Sequence, residues 1–132
     1  MNDKEVWLEI AKQLQAQYRY VCEIRRLTEE IGEVLGRDDT VSAQLLLGMR
    51  QEEMTHYDQC EEKIHILDSC FSGGKQERER HLRAKESLTS EEPMKKKAAE
   101  LYQGIQNQLK LTIELDKRVN KKLTGKDSFY QS

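Results

Sequence analysis

The chain has 132 residues, enough for one domain and too few for a second core of useful size. Charged residues make up 35%, Pro occurs once and Gly seven times; this suits long exposed helices and excludes a sandwich, a barrel or a doubly wound sheet, which need frequent Gly and Pro punctuation. Twenty-two basic residues against twenty-four acidic ones leave a net charge of -2, which argues against nucleic acid as a partner.

The first predicted helix covers about 3–36. Trp7, Ile10, Leu14, Val21, Ile24, Ile31 and Leu35 recur at three-four spacing, with Gln17 and Thr28 as the only interruptions. Asn2 and Glu5 form a capping-box pattern at its start, and Gly36 followed by Arg37, Asp38 and Asp39 predicts its end in a short polar turn. At 1.5 Å per residue the element is roughly 50 Å long.

The second helix is predicted over about 40–71, capped by Thr40 or Ser42. Its seam runs through Ala43, Leu46, Tyr57, Cys60, Ile64, Leu67 and Phe71, but Arg50 and Glu53 occupy seam positions at the centre, flanked by Met49 and Met54. Either that centre is exposed to water, or a slight rotation turns the methionines inward. Ser72, Gly73 and Gly74 then stop the helix.

Residues 75–90 are polar on nearly every face and read as a short exposed helix or a mobile connection. Ser90 resembles an N-cap for a third long helix over about 91–124, with Glu91 and Glu92 at the positive end of its dipole. Its stripe is Ala98, Tyr102, Ile105, Leu109, Thr112, Leu115, Val119 and Leu123, and Gly125 is the expected C-cap. Residues 126–132 are left as a flexible tail. The expected fold is all-α: one domain over 1–125, built as an elongated antiparallel three-helix bundle or coiled coil, with 75–90 as an optional short fourth helix.

Chemistry is sparse. Glu53-x-x-His56 and Glu62-x-x-His65 resemble the paired ligands of di-iron bundles, but His56 and His65 lie nine residues apart, on opposite faces of one helix at about 100° per residue. No metal site or cofactor is therefore expected. Cys60 sits four residues from His56, a spacing that activates a thiol only if the two meet; a packed seam thiol is the plainer reading. Cys60 and Cys70, ten residues apart on one helix, are separated by roughly 15 Å of rise and cannot pair. There is no Gly-rich phosphate loop and no Cys-x-x-Cys, so an enzyme is not expected. No stretch approaches the roughly 20 apolar residues of a membrane span, and MNDKEVWLEI lacks the pattern of a signal peptide. A cytoplasmic protein without membrane insertion is expected.

Charge is uneven. Residues 52–68 carry six acids and one lysine, and 109–126 carry six bases and two acids. Either the two segments complement each other within the bundle or merely solvate it, or the basic end of the third helix meets an acidic partner.

Together, the opening helix ending in Ile31, Val34 and Leu35 before a Gly-Arg-Asp-Asp turn, Arg50, Gln51 and Glu52 after that turn, and Asn107, Leu109, Leu111 and Ile113 in the last helix resemble the FlgN family of flagellar type III export chaperones. The likeness covers about 110 residues, and the related FliT type is the neighbouring reading. The resemblance implies a chaperone that binds the amphipathic terminal helix of hook-filament junction proteins and delivers it to the export apparatus. It implies a cargo surface along Tyr102, Ile105, Leu109, Thr112, Leu115 and Val119, unless these residues are core, and an export-gate contact at Tyr130. A self-associating coiled-coil structural or adaptor protein, forming a homodimer through the same stripe, is the alternative.

Overall fold

The computed structural model describes the backbone of residues 1–131 and the side chains of residues 1–123. It is all-α: α1 (Asp3–Gly36), α2 (Thr40–Ile66), α3 (Gly74–Arg83) and α4 (Pro93–Gln131), with 3-10 turns at Leu67–Cys70 and Lys85–Thr89 and no strand among the described residues. No helix among them is long and apolar enough to cross a membrane.

α1 is the central element. All seven apolar residues of its predicted seam are buried, because three-four spacing keeps them on the side that receives neighbours. α2 runs antiparallel to it, so that Gln17 meets Glu61 and Thr28 meets Arg50. α4 runs parallel to α1: the Tyr18 ring faces Gly104, Arg25 bonds Gln108, and Lys122 bonds the Gly32 carbonyl. A Cβ at position 104 would stand 3.0 Å from the Tyr18 ring, so glycine there permits the close approach. The backbones of α2 and α4 each pack closely on α1 but not on each other.

Caps differ from the sequence expectation in detail. Asn2 does accept from the Glu5 N–H at 2.9 Å. At the first turn the left-handed residue is Asp38 (φ 58), not Gly36, and Asp39 rather than Thr40 or Ser42 caps α2, accepting from the Ser42 N–H at 3.0 Å and its hydroxyl at 2.6 Å. Asp is as good a cap as Ser or Thr, and the choice falls to whichever side chain the turn leaves at the boundary. α4 is capped by Glu92, whose carboxylate accepts from the Met94 and Lys95 N–H groups, instead of by Ser90; Pro93, which has no N–H to satisfy, takes the first helical position. α2 ends at Ile66, five residues early, and α4 continues through Gly125, where a single glycine costs about 1 kcal/mol and does not force a stop.

Residues 74–83 form the fourth helix. Gly74 supplies the positive φ (61) at its start, and the Glu77 carboxylate reaches back to the Gly73 N–H at 2.6 Å, which holds that carboxyl below its usual range. α3 is fastened to the end of α2 by Arg78, almost fully buried, whose guanidinium lies 2.7 Å from the Asp68 carboxylate. Asp68 is also 2.8 Å from the His65 ring. Beside this pair, Trp7 closes one end of the molecule, with Phe71 at 5.4 Å, His81 edge-on at 5.9 Å, and the Lys95 ammonium 5.9 Å from its ring.

The apolar core is split. One cluster gathers Val6, Trp7, Ile10, Leu14, Ile64, Leu82, Ala98 and Ile105, and a second gathers Ile31, Val34, Leu35, Ala43 and Val119. Between them lies a polar layer. Thr28, fully buried, bonds the Ile24 carbonyl and receives Arg50 at 3.3 Å, while the same guanidinium reaches Asp116 of α4 at 2.7 Å. The weak centre of α2 is largely an exposed stretch, with no buried residue between Ala43 and Cys60, and not a rotation of methionines into the core. Arg50 alone turns inward, to the buried Thr28 and the partly exposed Asp116, and Met49 and Met54 stay exposed.

Candidate functional site

Because α2 and α4 are held apart by the helix they share, a trough is left between them, with α1 as its floor. Val21 and Ile24 form that floor, Met54 and Tyr57 the α2 wall, and Leu109, Thr112 and Ile113 the α4 wall. Its volume is about 270 Å3, just under the roughly 300–1,000 Å3 of small-molecule sites. That is room for one or two side chains of a docked segment. The lips are apolar and wet: Met54 is 41% exposed and Ile113 53%. The Arg50–Asp116 pair stands at the trough, with Asp116 part of its lining.

Asp58 lies on the α2 rim and also lines a second, adjacent depression of about 610 Å3, shared with Glu61, Glu62, His65, Ile66 and Lys75. The apolar trough therefore continues along α2 into an acidic shelf. Tyr57 stands in the trough wall beside Asp58, and burial, reinforced by the Glu61 and Asp58 carboxylates, pushes its phenol up to about 12. It remains neutral at any physiological pH. Glu61 is partly engaged, accepting from Gln17 at 2.9 Å.

The opposed charges of α2 and α4 do not neutralise each other. Among the described side chains, the ion pair that joins the two helices is Arg50–Asp116, a base from the acidic helix and an acid from the basic one. Lys117 pairs within its own helix with Glu114, at 3.7 Å. Asp58 and Glu62 make no ion pair with any described residue.

Of the residues expected on a cargo surface, Ile105, Thr112 and Val119 are turned onto α1 and buried, and Tyr102, Leu109 and Leu115 are half-buried. The trough brings together Leu109 and Thr112 from that set. It adds Ile113, Met54, Tyr57, Val21 and Ile24. Tyr102 instead lines a separate, more polar cavity with Gln17 and Arg78 and receives a hydrogen bond from Arg83 at 3.1 Å. The side chain of Tyr130 lies outside the described residues. A signal for the trough was present in the sequence: Ile113 is an aliphatic residue one step off the stripe and four from Leu109, so it sits at the stripe's edge.

The reactive groups stay dispersed. His56 stacks on Tyr20 at 5.2 Å and lies 3.8 Å from Glu53, while His65 is held by Asp68. No three His, Cys, Asp or Glu side chains among the described residues are grouped to hold a metal. Cys60 is buried, and burial pushes its thiol up, away from the thiolate a nucleophile needs. Compared with known proteins, the chain matches no family model, no curated protein and no solved structure.

Proposed function

We propose that the chain is an elongated antiparallel three-helix bundle that acts as a non-catalytic, cytoplasmic helix-binding protein, a flagellar export chaperone for the terminal helix of hook-filament junction proteins. The observation that carries the binding reading is the apolar trough between α2 and α4, floored by buried Val21 and Ile24 and edged by exposed Met54 and Ile113. An amphipathic helix laid there covers the wet lips and adds a helix on the side where α2 and α4 leave α1 uncovered, the helix-in-groove mode. The resemblance of the three long helices to the FlgN family supplies the cargo class, and Tyr130 is proposed as the contact with the export gate.

Light scattering of the protein with a synthetic junction-protein terminal helix tests this. A one-to-one complex is expected, lost in Ile113→Asp and kept in Leu111→Asp, a residue equally exposed (52%) but outside the trough. A complex indifferent to Ile113→Asp defeats the assignment to this trough.

A second reading has its own observation. Val41, Leu45 and Met49 recur every four residues on an outer face of α2, with Val41 79% and Leu45 67% exposed. That stripe suits a self-associating adaptor. A dimer of the protein alone, dissociated by Leu45→Asp and unresponsive to the junction helix, favours that reading over the chaperone.

A further inference from the structure

The trough and the shelf beside it share Asp58, so an occupant of the trough that extends along α2 past Asp58 lies over the shelf. The shelf is lined by Asp58 and, one turn on along α2, Glu61 and Glu62; Glu61 is already met by Gln17 at 2.9 Å and by the buried Arg78 at 4.0 Å, and Lys75 in the lining is drawn toward Glu79 at 3.8 Å. Asp58 and Glu62 lie four residues apart and face the same way, and both are exposed. Neither makes an ion pair among the described residues: Lys75 turns to Glu79, no α4 residue lines this wall, and the Arg50 that does cross to α4 takes Asp116. A helix seated in the trough therefore meets aliphatic surface over one stretch and uncompensated carboxylates over the next.

We propose that the occupant of the trough is a basic amphipathic helix of a partner protein, an aliphatic residue seated between Met54 and Ile113 and lysine or arginine residues one to two turns further on, facing Asp58 and Glu62. This rests on the helix-in-groove reading above and adds the polarity and charge of the ligand. The apolar contact supplies the greater part of affinity, and the rim carboxylates choose the partner and speed its arrival, since exposed interfacial charges act chiefly on association rate and salt dependence.

Two synthetic helices of eighteen residues with the same leucine stripe, one flanked by lysines and one by glutamates, test the proposal by fluorescence anisotropy against wild-type protein and against Asp58→Lys/Glu62→Lys. The lysine peptide is expected to bind about tenfold more tightly at low salt, from two exposed ion pairs of ordinary strength. The difference should collapse at high salt and invert in the double variant, whose thermal unfolding checks that it folds. Equal affinity of the two peptides for wild type overturns the charge assignment while leaving the trough as a helix site. Failure of both peptides to bind overturns the helix-in-groove reading itself, and the present inference with it. A wild-type dimer broken by Ile113→Asp also overturns it, by showing that a second copy fills the trough.

Discussion

Arg50 of α2 and Asp116 of α4 pair at 2.7 Å, each contributed by the helix whose overall charge is opposite to its own. The same guanidinium reaches the buried Thr28 hydroxyl, so a single side chain ties all three long helices together. Removal of Arg50 leaves Asp116 facing apolar trough surface and Thr28 with one partner fewer. Arg50→Ala is expected to lower the free energy of unfolding by about 1–2 kcal/mol, discounted for the partial exposure of Asp116. Arg50→Met should cost less, because the apolar stem still packs. Urea denaturation of both variants checks the order.

Two glycines should respond oppositely to alanine. Gly48 lies inside α2 with no heavy atom within 4 Å of the position a Cβ would take, so Gly48→Ala is expected to stabilise the protein by about 0.5–1 kcal/mol through helix propensity alone. Gly74 starts α3 at φ 61, where a Cβ is strained, and Gly74→Ala should destabilise by about 1 kcal/mol. Thermal melts that moved in the same direction would contradict a helical Gly48 or a left-handed Gly74.

His81 gives a pH signature. Burial, with Lys95 and Arg80 nearby, holds its imidazole below the ordinary 6.5, against a weaker opposing pull from Glu77. The unfolded chain therefore binds this proton more readily than the folded one, and the stability from neutral His81 against Trp7 is complete above pH 6.5 and is lost as pH falls through the folded value. His81→Gln should flatten the melting-temperature profile between pH 7 and 5 relative to wild type. Parallel profiles would show that another group controls that range.

The three thiols should react in order of access. Cys70 is exposed, Cys22 half-buried, and Cys60 buried with its thiol pushed up, so a disulfide-exchange reagent at pH 8 should consume Cys70 first and Cys60 only on the timescale of opening. Mass mapping of the labelled peptides reads the order directly.

The α1 stripe was legible in the sequence because one period runs through it with two breaks, and those breaks became Gln17 and Thr28, 1% and 0% exposed yet hydrogen-bonded. What the breaks are for was not legible. Thr28, Arg50 and Asp116 each look like an isolated fault in a separate seam, and only the packing of three distant segments makes them one polar layer. The trough was hidden for a related reason: Val21 and Ile24 read as seam whether or not two neighbours meet above them. Composition does not reveal that α2 and α4 stay apart. The caps at the starts of α2 and α4 were ambiguous because Ser, Thr, Asp and Glu stand side by side there, and the ends of α2 and α4 moved because Gly and polar residues permit a stop without forcing one.

Gln17 and Thr28 stand eleven residues apart on α1, and their partners Glu61 and Arg50 stand eleven apart on α2. Eleven residues is close to three whole turns, so both polar contacts fall on one side of each helix. A ladder of Ile and Leu alone tolerates sliding by a heptad with little loss, because one aliphatic rung resembles the next. Sliding α2 by seven residues would carry Arg50 against Val21 or Leu35 with nothing to accept its protons. The two layers thus work as a vernier: they fix how far α2 is drawn along α1, and with it the alignment of Met54 opposite Ile113 from which the trough is made.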